Sequence, residues 1–484
     1  MVTLPEAVRA PARLAAIMCL MTSLNAQEFD LVLGNGRVLN PDTQTDAVRH
    51  VGISGGTIRA VSPTPLRGRQ EIDATGLAIT PGFIDLHQHA QAPGDYLLKA
   101  QDGVTTVAEF EVGTVDIDAW YAARENRTPV NFAVSIGHIP CRMAVMGDRP
   151  AFLPGAASAA ATQPATPAQL AELLRTMEHG LQRGAPAIGF GLQYTPAATQ
   201  WETLEVFRLA ARYHAACHAH VRAKGETGPQ NVFSALQELI ANATLTGAGA
   251  HFCHVQSTSN QLTPRVLQVI SDAHARGVDI TAECYPYTAG MTDIKSAIFD
   301  EGWQEKAGIT YSDIQWPATG ERLTAESFAH YRKIGGLVVI HSNPEEVVRA
   351  AIAHPRTMIA SDGLRGHPRH AGTSARILGR YVREEKLLTL LQAVDKLSLM
   401  PARRMEARVP AMRLKGRIRP GADADIVVFN PDTVIDRATY EKPDLPSDGI
   451  AHVLVNGIFV VRDGNPQPDA LPGRPVRAPL GTMR

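Results

Sequence analysis

The middle of this 484-residue chain alternates strand-like apolar runs with helical patterns, which predicts a parallel α/β architecture. Both ends carry short strands punctuated by Asn-Gly and Asp, which predicts a small β-domain assembled from the two termini. A chain of this length accommodates a barrel of about 250 residues together with such a second module.

Eight strand candidates carry the α/β reading: residues 83–87, 104–110, 131–137, 187–192, 215–220, 250–254, 279–285 and 357–362. One intervening helix is explicit. Thr166 is a capping residue and Pro167 fits the first helical position, while Leu170, Leu173, Leu174, Met177 and Leu181 form the stripe it would bury. The terminal module is expected from 27–80 together with 415–484, where Asp30-Leu-Val-Leu precedes Asn35-Gly36 and the run from His452 ends at Asn456-Gly457. Neither segment holds enough strands to form a stable sheet alone, so each is expected to complete the other. The barrel is assigned to 81–414. Its excursion at about 291–344, before the eighth strand, is long enough to lid a site.

Composition narrows the partner. Lys and Arg total 47 against 48 Asp and Glu, a formal charge of -1, so no global field draws the protein to nucleic acid or anionic lipid. A small molecule is the expected partner, no membrane span is expected, and a homo-oligomer stays open. Residues 1–26 resemble a secretory signal, with Arg9 and Arg13 ahead of the apolar run 14–24, which predicts a periplasmic or secreted protein, or a cytoplasmic one if the segment is not processed. Cys19 would leave with that segment. Cys217, Cys253 and Cys284 lie in strand-like runs, where a small buried hydrophobe is a better reading than a disulfide.

The chemistry gathers at strand ends. The stretch Pro81 to His89 closes an apolar run with His87 and His89, and on an extended strand residues two apart share a face, so both imidazoles can hold one cation. His220 ends the fifth strand candidate, His254 the sixth and Asp362 the eighth. Glu109 and Glu111 interrupt an otherwise apolar second strand and are costly to bury without a cation or donor. In a barrel, active sites lie at the carboxyl ends of the strands.

These residues resemble the amidohydrolase superfamily: Pro81-Gly-Phe-Ile-Asp-Leu-His87-Gln-His89, the strand-end His220 and His254, and Ser361-Asp362-Gly363. Tyr285-Pro-Tyr-Thr-Ala-Gly290, His367-Pro-Arg369, Arg376-Ile-Leu-Gly-Arg-Tyr381 and the run Lys415 to Asp425 are similar to N-acyl-D-amino-acid deacylases, or D-aminoacylases. The resemblance implies a (β/α)8 TIM-like barrel with a β-sandwich from both termini. It also implies one or two Zn2+ ions, with His87, His89, His220, His254 and Asp362 among their ligands, and hydrolysis of a linear amide, most simply an N-acyl-D-amino acid or a related conjugate.

Departures from that pattern shape the rest of the expectation. The deacylases place a cysteine ligand after strand two, where this chain reads Glu111-Val112-Gly113; Glu111 is the candidate replacement and Glu109 its rival. No lysine occurs in 186–192, so a strand-two carboxylate is the best available bridge. Gln256 stands where the deacylases carry a lysine, which shifts carboxylate recognition onto Arg369. Asp362 is the expected general base and acid, moving the proton from water activated on the metal to the leaving amine. Tyr194 and Tyr287 are candidate donors to the developing oxyanion, and His138 is read as structural. A cyclic-amide hydrolase of the hydantoinase or dihydroorotase kind, a dipeptidase of the same superfamily and a non-catalytic metal-binding barrel are the alternatives.

Overall fold

The computed structural model describes residues 1–3, 28–225 and 230–481. The secretory-signal reading of 1–26 therefore lies almost wholly outside the described residues. In chain order, β1 (Phe29–Asn40), β2 (Thr45–Ser54), β3 (Thr57–Ser62), β4 (Gly68–Asp73) and β5 (Ala78–Pro81) lead into the barrel strands β6 (Phe83–Asp85), β7 (Val104–Thr114), β8 (Asn131–Gly137), β9 (Ala187–Gly191), β10 (Ala216–His220), β11 (Gly249–Phe252) and β12 (Ile280–Cys284). Then come β13 (Gly290–Asp293), β14 (Ile314–Trp316), β15 (Glu321–Arg322) and β16 (Leu337–Ile340), the last barrel strand β17 (Thr357–Ile359), and β18 (Ile426–Phe429), β19 (Ile450–Val455), β20 (Ile458–Arg462) and β21 (Asn465–Pro466).

The two termini share one nine-stranded sheet. The first-half strand β5 pairs with β18 antiparallel and with β1 parallel, which stitches residues nearly 350 apart in sequence into one ladder. Leu31, Val38, Ile53, Ile58, Ile79, Ile426 and Leu454 form its core. The two Asn-Gly pairs behave differently. Asn456 and Gly457 both have positive φ, 49° and 80°, and close the β19–β20 hairpin as a two-residue turn requires. At Asn35-Gly36 only Asn35 is left-handed, so β1 bulges and continues; a Cβ on Gly36 would lie 2.4 Å from Ile79. Close packing against β5, rather than a turn, is what that glycine provides.

The barrel is eight parallel strands in the order β17-β12-β11-β10-β9-β8-β7-β6. Its seam between β6 and β17 is held by side chains. Asp85 accepts from the Ser361 backbone N–H (3.0 Å), the Ser361 hydroxyl (2.5 Å) and the His87 N–H (3.2 Å), with Lys99 Nζ at 2.8 Å. The helix Pro167–Gln182 forms as its sequence predicts. Thr166 caps it, Leu173, Met177 and Leu181 are buried, and Leu170 and Leu174 pack at the edge of the core. The excursion before β17 folds into its own four-stranded sheet, order β13-β16-β14-β15, around Ile294, Phe299, Trp303, Ile314 and Phe328. Among the described residues no helix is long and apolar enough to cross a membrane.

Candidate metal centre

Glu111 is the hub of the site, and a local irregularity puts it there. The β7–β8 ladder steps from Glu109↔Val134 to Thr114↔Ile136, five residues against two, so the intervening segment bulges out of register. Gly113 turns with φ 69°, where a Cβ would lie 2.6 Å from Ser135 O. Gly189 on β9 makes room from the other side: a Cβ there would come within 2.2 Å of Glu111 O. Strand four therefore offers a gap, not a lysine, and the strand-two carboxylate occupies the centre.

Around it the imidazoles converge. Glu111 Oε2 lies 2.5 Å from His87 Nε2, 3.5 Å from His254 Nε2 and 3.8 Å from His89 Nε2, while Oε1 lies 3.1 Å from His220 Nδ1. Asp362 Oδ1 stands 3.2 Å from His89 Nε2 and 3.5 Å from His87 Nε2. Candidate ligand atoms of His87, His89, Glu111 and Asp362 all fall within 4.8 Å of one another, as do those of Glu111, His220 and His254. Glu111 belongs to both groups, the arrangement a carboxylate shared by two ions requires. His254 and Asp362 both have positive φ, 35° and 49°, an uncommon conformation for non-glycine residues and one found preferentially at functional sites.

The remaining polar groups orient these ligands. Glu109 is not at the hub: its Oε2 lies 2.5 Å from His89 Nδ1, and its Oε1 accepts the Val112 N–H. Glu283 plays the same part for His87 Nδ1 and also contacts His251 Nε2 at 3.0 Å. Glu283 carries the same signal in the sequence as Glu109, a lone carboxylate in the strand-like run 280–284, and is a functional residue beyond those expected from the sequence. Burial works against every charge here. For Glu111 the His87 charge and hydrogen bonds from His220 and His254 overcome it, holding the carboxyl well below its usual range. Burial dominates at His220 and takes its imidazole down to about 4, which keeps it neutral and able to donate a lone pair.

A cleft of about 550 Å³, open to solvent, rises above this centre. Its floor includes His89, Glu111, His220, His254 and Asp362; Tyr194 and Tyr285 flank them, and Met291, Thr292, Ile298, Ile340 and Ser342 of the excursion form the facing wall. Phe152 sets its ring edge against His89, centroids 5.1 Å apart. Tyr194 packs against His220 with the rings tilted by 58°, and burial with Glu111 nearby pushes its phenol well up, so it stays a proton donor. Tyr287 is not among the residues that line the cleft. Its hydroxyl donates to Asp436 at 3.3 Å and Arg376 covers its ring, which places it behind the cleft, and Tyr285 lines the cleft in its stead. Gln256 is also withdrawn: it is fully buried and its Nε2 donates to Tyr285 O. His138 pairs with Glu202 at 2.7 Å in the helical layer.

Arg369 is fully buried, 4.5 Å above the Tyr285 ring, with Nη1 2.9 Å from Asp362 Oδ2. That approach lacks hydrogen-bond geometry, and none of its three guanidinium nitrogens has a hydrogen-bond partner. A buried guanidinium whose donors are unused is uncommon, because buried polar groups are ordinarily hydrogen-bonded.

An eight-stranded parallel barrel whose strand ends gather four histidines and two carboxylates is the architecture of a metal-dependent hydrolase. Comparison with known proteins makes the class specific. A family model described as "Amidohydrolase family" matches residues 148–461. N-acyl-D-glutamate deacylase of Alcaligenes xylosoxydans xylosoxydans is 32% identical, over 93% of this chain and 97% of that protein, and D-aminoacylase of the same organism is 28% identical over 90% and 95%. A crystal structure of N-acyl-D-glutamate deacylase from Bordetella bronchiseptica, complexed with zinc and a phosphonate mimic of the tetrahedral intermediate, superposes with TM-score 0.80 at 29% identity, covering 93% of this chain and all of that one. A D-aminoacylase structure described by its binuclear metal center gives 0.79 at 26% identity, over 93% and 100%. The chain belongs to the amidohydrolase family.

Proposed function

We propose that this chain is a zinc-dependent deacylase that hydrolyses the amide bond of N-acyl-D-amino acids. The carrying observation is the pairing of Glu111, shared between two sets of candidate ligands, with Arg369, whose guanidinium lies against Asp362 and makes no hydrogen bond. The donor set fits zinc, which takes imidazole nitrogens and carboxylate oxygens together. His87, His89, Glu111 and Asp362 would hold one ion, and Glu111, His220 and His254 a second. When bound, zinc supplies Lewis acidity that polarises an amide carbonyl and makes water acidic near neutral pH.

The chain's own residues supply the rest. Asp362, held ionised by Arg369 and His87 against its burial, accepts the proton of the attacking water and returns it to the departing amine. Tyr194 donates to the oxygen on which charge develops. Arg369 receives the substrate carboxylate and fixes the scissile amide over the centre. Phe152 and the wall 291–298 exclude water from the acyl side. Glu109 and Glu283 hold His89 and His87 in register.

The test is removal of metal by exhaustive chelation, zinc re-addition, and assay on N-acetyl-D-amino acids, N-acetyl-L-amino acids, dihydroorotate and hydantoins. Loss and zinc-dependent recovery on the D-series is expected. Activity indifferent to chelation, or confined to cyclic amides, sinks the reading. Export of the enzyme rests on residues 1–26 alone, and amino-terminal sequencing of the mature protein checks it.

A further inference from the structure

Besides Arg369, buried next to Asp362, a second cation reaches the cleft itself. Lys224 follows His220 beyond the carboxyl end of β10 and lines the cleft with His89, His220 and Asp362. Among the described residues it makes no ion pair or hydrogen bond. Burial is the largest influence on its ammonium and, with Arg369 nearby, brings it down to about 8, although Asp362 and Glu111 pull the other way. Those two carboxylates are committed to the metal centre, so they cannot serve as its partners once zinc is present. Lys224 is half-buried, and a cation so placed with no partner among the described residues is open to a ligand that brings the counter-charge.

Position and surroundings say which charge. Lys224 lines the cleft together with Asp362, the residue whose Oδ2 lies 2.9 Å from Arg369 Nη1. The cleft is also lined by the apolar side chains of Val112, Leu153, Met291, Ile298 and Ile340, with the uncharged hydroxyls of Thr292 and Ser342 among them. An acidic side chain directed there would be stripped of water without a partner. The single charge common to every N-acyl amino acid is its α-carboxylate. Position 256, where the deacylase pattern carries a lysine, is a neutral glutamine turned toward Tyr285 O.

We infer that Lys224 is the second cationic anchor for the substrate α-carboxylate, acting with Arg369 and replacing from the β10 loop the charge that is missing at Gln256. The inference rests on the deacylase reading. It also makes the apolar wall the site of the acyl group and the side chain, so that an uncharged side chain is the better fit.

The test uses the zinc enzyme and its Lys224→Met and Lys224→Arg variants, with Lys306→Met, an exposed lysine, as control. KM is measured for N-acetyl-D-leucine, N-acetyl-D-glutamate and N-acetyl-D-leucinamide, and Kd for N-acetyl-D-leucine by calorimetry. Lys224→Met should raise KM about tenfold or more for both carboxylate substrates in similar proportion, leave KM for the neutral amide unchanged and keep kcat within about threefold. Lys224→Arg should recover most of the loss and Lys306→Met should behave as wild type. Equal damage to acid and amide makes Lys224 structural and overturns the inference; damage confined to the glutamate substrate overturns it in favour of a side-chain reader. Wild-type inactivity on every N-acyl amino acid sinks the deacylase reading by itself. Calorimetry then decides the anchor alone: weaker binding by Lys224→Met supports it, and equal binding overturns it.

Discussion

Two buried arginines of this protein, Arg142 and Arg369, are alike in composition and burial and opposite in what surrounds them. Arg142, in the helical layer, donates from Nε to Ala160 O and from Nη1 to Glu202, and its Nη2 reaches Gln163 O. Every arm is used. Arg369 touches Asp362 and the face of Tyr285 but makes no hydrogen bond with any of its nitrogens. A structural ion cluster closes on itself because an unmet buried donor costs stability; a binding site leaves donors open because a ligand is to satisfy them. Burial and charge do not separate the two regions, whereas saturation of the donors does.

The largest losses are expected at the hub of the metal centre. Glu111→Ala should cost zinc affinity well over about 100-fold and turnover with it, whereas Glu109→Ala, which removes only the partner of His89, should cost about 10- to 100-fold. Zinc content by mass spectrometry after dialysis ranks them, and the reverse ranking would make Glu109 the shared ligand. Asp362→Asn should lower kcat by about 10²- to 10⁴-fold, with substrate affinity mostly kept, since the proton moves only during reaction.

The two arginines should then fail in different currencies. Arg369→Ala should weaken binding of an N-acyl amino acid by about 2 to 5 kcal/mol, seen chiefly in KM, and leave the KM of its neutral amide unchanged, while kcat falls alike for both because Asp362 loses its neighbouring charge. Arg142→Ala leaves Glu202 buried without its cation, so stability should fall by about 3 to 5 kcal/mol while KM near room temperature stays put. Denaturant melts beside kinetics check both; a KM effect from Arg142 or a purely stability effect from Arg369 would erase the distinction. The smallest change is expected from Phe152→Ala, a few-fold loss in kcat/KM from a wetter edge at His89, on the order of 1 kcal/mol.

Much of this molecule is written locally. Strand period, the Thr166-Pro167 cap and the paired histidines at 87 and 89 depend on neighbours in sequence, so the barrel strands, their helices and the residues that end them can be read from the chain alone. Asn456-Gly457 makes its turn for the same reason. Tertiary packing decided the rest. Gly36 became a contact with Ile79 instead of a turn, because β5 runs alongside. Glu111 rather than Glu109 took the centre because a bulge in β7 and the missing side chain at Gly189 moved the backbone, a shift no local pattern encodes. Tyr285 rather than Tyr287 lines the cleft, Glu283 reaches His87 from behind, and Lys224 enters the cleft from beyond another strand end. Which side chain faces a cavity depends on the angle at which a loop leaves its strand, and that angle is set by contacts hundreds of residues away.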